Sequence, residues 1–255
     1  MDARRYVLII VEGKTDKKSL YLGIKNYLEK NGALNKVGFD VFDGDFTILD
    51  QNQNRIDPGA VEDNIGESLR SYFANPANSI TPDDVIAVAT ISDLDAAYCQ
   101  DACIFHDPKL AMLSEEEAHP YYDLSIPCLY CKDVPFLVQR NQDKRDAFLS
   151  LNDMVTDGLH YEKHHYPFRP YYFGITLEHV LHDKVVYGQE EKGRLAASFR
   201  SRCKDPYYLF NALNSLSIAT LNYESSWDET WLRNHPFSRI SNVRFLLDWI
   251  LSLGM

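Results

Sequence analysis

Apolar residues in this chain alternate between short unbroken runs and helical stripes, and that alternation predicts a parallel sheet. Tyr6–Val11 (YVLIIV) is a continuous apolar run, β-branched and aliphatic after Tyr6, as in a strand buried on both faces. From Lys14 to Lys30 the period changes to that of a helix, with Leu20, Ile24, Tyr27 and Leu28 on one stripe and Asn31-Gly32 as the stop. Phe39, Val41 and Phe42 mark a second strand, ended by Asp43-Gly44-Asp45, and Asp50–Gly59 is a polar loop. Val61–Phe73 carries Ile65, Leu69 and Tyr72 or Phe73 on a second helical stripe. Pro82-Asp83-Asp84 leads into Val85–Ser92 (VIAVATIS), another buried run, which passes directly into Asp93-Leu94-Asp95. The order strand–helix–strand–helix–strand predicts an α/β fold wound through right-handed crossovers.

Beyond residue 105 the pattern blurs, and a boundary falls between 105 and 125. Ile126–Tyr130 reads as a strand, Lys144–Leu159 as a helix, and Lys163–Tyr172 (KHHYPFRPYY) as a Pro- and aromatic-rich loop. Further helices are expected at Thr176–Leu181, Gly193–Arg202, Tyr207–Leu213 and Arg239–Leu253.

Composition adds limits to this picture. The chain has 255 residues, 45% of them hydrophobic, with a formal net charge of -11. That balance argues against a clamp whose main work is gripping nucleic acid, but not against a nuclease, since bound cations offset local carboxylates. Five cysteines, the absence of a leader-like start and the absence of a membrane-length apolar run give the expectation of a reduced, cytoplasmic protein. Self-association stays open.

The chemistry lies at the strand ends, where open α/β sheets keep their ligands. Glu12-Gly13 follows the first strand and Asp93-Leu94-Asp95 follows the third. In an extended strand Asp93 and Asp95 face the same side. If the two strands are neighbours, three carboxylates converge and repel unless a cation neutralises them, and hard oxygen ligands suit Mg²⁺ or Mn²⁺.

These residues resemble a known family. VEGKTD at 11–16 and SDLD at 92–95 look like the signature of toprim domains, which occur in bacterial primases, topoisomerases and OLD-type nucleases. Ala97 stands where primases and topoisomerases continue with a third aspartate, so the OLD-type branch is the nearer one. That resemblance implies a Mg²⁺-dependent nuclease for DNA or RNA, using two ions. It implies Glu12, Asp93 and Asp95 as ligands, and Asp16 with Glu178 of Thr176-Leu177-Glu178 for the second ion. Lys192 or Lys204 would be the site lysine. Glu12 as a general acid or base is the alternative implied by topoisomerases. On this reading residues 1–110 are a toprim-like catalytic core, and 111–255 a mostly helical part that completes the site. Stand-alone chains of this kind resemble phage-defence effectors that work with an ABC-type ATPase. A non-catalytic toprim-like module that binds metal or a partner is the alternative, and a phosphoryl-transfer enzyme for a small nucleotide is a further one.

Other signals weigh less. Gly13-Lys14-Thr15 mimics the end of a P-loop, but Leu8 stands where its first glycine belongs. Cys99, Cys103, Cys128 and Cys131 suggest two halves of a zinc site, against the simpler reading of buried thiols. His164-His165 lies in a loop that suits base stacking or local packing, and His179 and His182 flank Glu178 on a helix face. Glu115-Glu116-Glu117 reads as solvated helix face. Tyr223, Trp227 and Trp231 suggest interface anchors or core.

Overall fold

The computed structural model describes residues 5–44, 46, 60–113, 118–185, 188–216 and 221–254. The loop at 50–59, Asp45 and the acidic run 115–117 lie outside them. The predicted opening is present. β1 (Arg5–Val11), α1 (Lys14–Lys30), β2 (Val37–Asp43), α2 (Val61–Ala74) and β3 (Val85–Asp93) follow in order. β1 pairs in parallel with β2 on one side and with β3 on the other. Leu8, Ile9 and Ile10 are fully buried, as an unbroken apolar run requires.

The sheet has a fourth strand from far along the chain. Its order is β2-β1-β3-β9, with β9 (Phe168–Phe173) parallel to β3. The segment expected to be a loop is therefore a β-hairpin, β7 (Leu159–Tyr161) with β8 (His164–Tyr166), followed by a sheet strand. Pro170 concealed it, because proline suits a loop. An edge strand also accepts proline, since only one of its sides must supply ladder N–H groups.

The long helix α3 (Val134–Asp157) begins ten residues before the expected Lys144, at an Asp133 cap that accepts the Phe136 N–H at 3.0 Å. A small sheet, β4 (Ile104–His106), β6 (Cys128–Cys131) and β5 (Tyr121–Asp123), sits over its own apolar cluster with Leu137 and Ile175. The remaining helices are α4 (Leu177–His182), α5 (Gln189–Arg202), α6 (Tyr208–Asn214), α7 (Glu229–Asn234) and α8 (Arg244–Leu253). α5, α6 and α8 pack on α1, whereas α2 packs on α3 and the hairpin. The α1–α6 approach is close at Gly23, where a Cβ would stand 2.9 Å from the Leu209 Cβ. The main core runs from β1 to α8 without a break, so the sheet and the C-terminal helices share one interior.

Tyr223 belongs to that interior, and Trp227 and Trp231 pack against it. Tyr223 donates to the Pro170 carbonyl at 3.0 Å, and the Trp227 ring meets Tyr172 edge-on at 4.8 Å. Tyr223 and Trp227 thus tie β9 to the segment before α7.

Candidate functional site: an acidic cluster at the strand ends

Strand order creates the crevice. From β1 the chain moves outward to β2, then returns to the opposite side of β1 as β3. The gap at the carboxyl ends of β1 and β3 is thus a topological switch point. Val11 pairs with Ile91, so Glu12 and Asp93 emerge side by side. The Asp93 N–H faces Glu12 Oε2 at 3.4 Å. Gly13 lets α1 start at once: the Asp16 and Lys17 N–H groups bond its carbonyl, each at 3.1 Å. Asp16 then returns beside Gly13, where a Cβ would lie 3.2 Å from its Oδ2.

Asp95 arrives by a route that alternation does not describe. The strand ends at Asp93, and both Asp95 and Ala96 are left-handed, with φ of 50° and 53°. Such a pair of non-glycine residues is strained and needs surrounding structure to hold it. Here α3 does so. Arg140 Nη2 donates to the Asp95 carbonyl at 3.1 Å and Arg145 Nη1 to the Ala97 carbonyl at 2.5 Å. Lys144 Nζ, 1% exposed, meets Asp95 Oδ2 at 2.5 Å. Burial opposes the Asp95 charge, but Lys144 and then Arg140 outweigh it and keep its carboxyl below the ordinary value. Lys144 is likewise held above the usual lysine value: burial pulls it down, and Asp95 and Glu12 overcome that. Sequence reading missed both cations. The helix expected from Lys144 left Arg140 out, whereas in α3 the i,i+4 spacing sets Arg140 and Lys144 one turn apart on one face.

The other predicted acids come to the same crevice. Thr176 caps α4 by accepting the His179 N–H at 3.2 Å, and the Leu177 N–H donates to Asp93 Oδ1 at 3.0 Å. This docks Glu178, 2% exposed, beside the aspartates. Burial, then Glu178 and Glu12, raise the Asp16 pKa to about 7. Burial, then Asp16, Asp95, Glu12 and Glu178, hold the Asp93 carboxyl well above its usual range. Lys192 of α5 lies 4.0 Å from Glu178 Oε2. Burial opposes its charge, but Glu178, Asp93, Asp16 and Asp95 raise its pKa. Lys204, in the turn after α5, faces a surface groove instead.

Glu12, Asp16, Asp93, Asp95 and Glu178 therefore share one crevice, with Lys192 at one side and Lys144 at the other. The donor set is that of a hard divalent cation, and burial first, then neighbouring carboxylates, raise Asp16 and Asp93. As they stand the side chains turn to protein donors, and among the described residues no three His, Cys, Asp or Glu side chains group as ligands of one ion. The chemistry of the set fits Mg²⁺; its present geometry is not closed around one.

The lesser signals resolve simply. β1 runs directly into Gly13, without a glycine-rich loop. Cys99 and Cys131 are buried in the small core, and burial raises the Cys99 thiol to about 11. Burial lowers His179 and His182 to about 4, so both stay neutral. His165 Nε2 donates to the Asp157 carbonyl, 2.5 Å away, where α3 passes into the hairpin. Among the described residues no helix is long and apolar enough to cross a membrane. No family model matches this chain, and no curated protein or solved structure is recognisably similar to it.

Proposed function

We propose that this chain is a Mg²⁺-dependent phosphodiester hydrolase acting on DNA or RNA. The observation that carries the reading is the convergence of five carboxylates from β1, α1, β3 and its following turn, and α4 at a switch point of a parallel sheet. Glu12, Asp93 and Asp95 would hold one cation, with Asp16 and Glu178 serving a second. The cations would polarise the phosphate and lower the pKa of an attacking water.

The chain's own groups prepare that chemistry. Lys144 and Arg140 fix Asp95 ionised and in place. The Leu177 N–H orients Asp93. Lys192, with 24% of its side chain exposed, offers a positive charge on the open side of the crevice for a phosphate oxygen. The likeness of VEGKTD and SDLD to toprim nucleases extends the proposal to a defence effector working with an ABC-type ATPase. Exposed Phe136 and Ile126, at 63% and 60%, offer apolar surface for such a partner.

One observation favours a second reading, a non-catalytic module. Lys144 already neutralises Asp95, so the acids have a built-in counter-charge. Labelled DNA and RNA, and bis(p-nitrophenyl) phosphate, incubated with millimolar Mg²⁺ or Mn²⁺, separate the two. Hydrolysis by the parent and none by Asp93→Asn is the expected result. Equal backgrounds from both with either metal favour the module.

A further inference from the structure

The acidic total conceals a basic face. Two adjoining pockets, of about 650 and 450 Å³, run along the junction of α1 and α5 and share Lys18, Leu22 and Arg200. Their lining includes Lys14, Lys17, Lys18, Lys25, Arg200 and Lys204, and no carboxylate. On α1 these lysines fall at helical repeats from 14 to 25, a single stripe about 16 Å long at 1.5 Å per residue. On α5 the opposing wall is Gly193, Ala196 and Ala197, small residues that leave the groove open, then Arg200, with Lys204 in the turn that follows the helix. Among the described residues none of the six cations has an ion-pair partner. In a chain of net charge -11 such a group concentrates positive potential on one face, where it attracts a polyanion.

We propose that this groove is the track for a nucleic-acid backbone leading to the acidic crevice, an inference that rests on reading that crevice as a phosphodiester site. The geometry of the two helices carries it. α1 begins beside Glu12 and bears Asp16 in the crevice and Lys14, Lys17 and Lys18 in the groove. α5 bears Lys192 in the crevice and Arg200 in the groove, with Lys204 just past its end. A strand lying along the stripe thus ends at the carboxylates. Its length matches about five successive phosphates at 3.4 Å along one strand of a duplex. Tyr21, exposed within the groove, gives an unpaired base a ring to stack on. An acidic protein surface would meet the charge, but has no use for a linear track that terminates in an acidic cluster.

Binding can be measured without catalysis. Fluorescence anisotropy in EDTA, with a labelled mixed-sequence 20-mer and its duplex, compares the parent with Lys18→Gln/Arg200→Gln over a range of salt. Lys109→Gln/Lys132→Gln removes the same charge from the exposed small-sheet side. The groove variant is expected to bind about tenfold more weakly, with a duplex salt slope shallower by about 1.8, from 0.9 per lost phosphate contact. The control variant should bind like the parent. A parent that binds neither probe overturns the proposal. So does equal weakening by both variants, or a groove variant that loses only poly-glutamate binding. If groove binding holds while the parent hydrolyses no bis(p-nitrophenyl) phosphate, the track stands and the catalytic reading fails.

Discussion

The acidic crevice should make the metal-free protein less stable as pH rises, and Asp16→Asn should reveal it. The folded-state pKa of Asp16 is about 7, against 3.8 for an ordinary aspartate. A carboxyl raised on folding favours the protonated form. It therefore costs nothing below pH 3.8, costs progressively more between 3.8 and 7, and costs the full amount above. That rise corresponds to at most about 4 kcal/mol, and solvent reaching Asp16 reduces it to about 2 kcal/mol. Asparagine keeps the shape and can still accept the Gly13 N–H, but carries no charge. At roughly 2 °C per kcal/mol for a chain of this size, Asp16→Asn should melt about 4 °C higher than the parent at pH 8 in EDTA. The gap should close by pH 4, where the parent's Asp16 is protonated too. Thermal melts of both proteins across this range give the answer. A variant that melts lower at pH 8, or a gap that does not shrink on acidification, would refute the electrostatic account.

Other perturbations follow from the same geometry. Lys144→Met leaves Asp95 buried without its partner and should cost about 3–5 kcal/mol in urea unfolding; adding Asp95→Asn should recover part of that loss. For the same reason Asp95→Asn alone should destabilise, whereas Asp93→Asn should raise the melting temperature of the metal-free protein at pH 8. Gly158 has φ of 74°, and a Cβ there would stand 2.5 Å from His165 Nε2. Gly158→Ala should therefore lower stability by more than about 1 kcal/mol, and a urea midpoint equal to the parent's would contradict this. With no glycine cradle before Lys14, Mg-ATP should shift the melt no further than Mg²⁺ alone.

The sequence was most legible where one physical force decided the outcome. YVLIIV and VIAVATIS have no use except as strands buried on both faces, so β1, β3 and the acids at their ends could be read directly. α1 was equally plain, because its apolar stripe and its Asn-Gly stop agree. β9 was hidden by Pro170, whose tolerance depends on an edge position that only the assembled sheet reveals. Arg140 and Lys144 were hidden because a buried cation looks like a surface one until its carboxylate is located. Asp95 shows the same limit: its spacing from Asp93 suggested an extended strand, while its placement depends on a left-handed turn clamped by α3.

The central claim is that Glu12, Asp93 and Asp95 hold a divalent cation, and crystals soaked in Mn²⁺ test it most directly by anomalous diffraction. The account predicts a peak at roughly 2.1 Å from carboxylate oxygens of these three residues, with a second roughly 4 Å away toward Asp16 and Glu178. A saturating soak that leaves the crevice without a peak, and Lys144 still on Asp95, would contradict it.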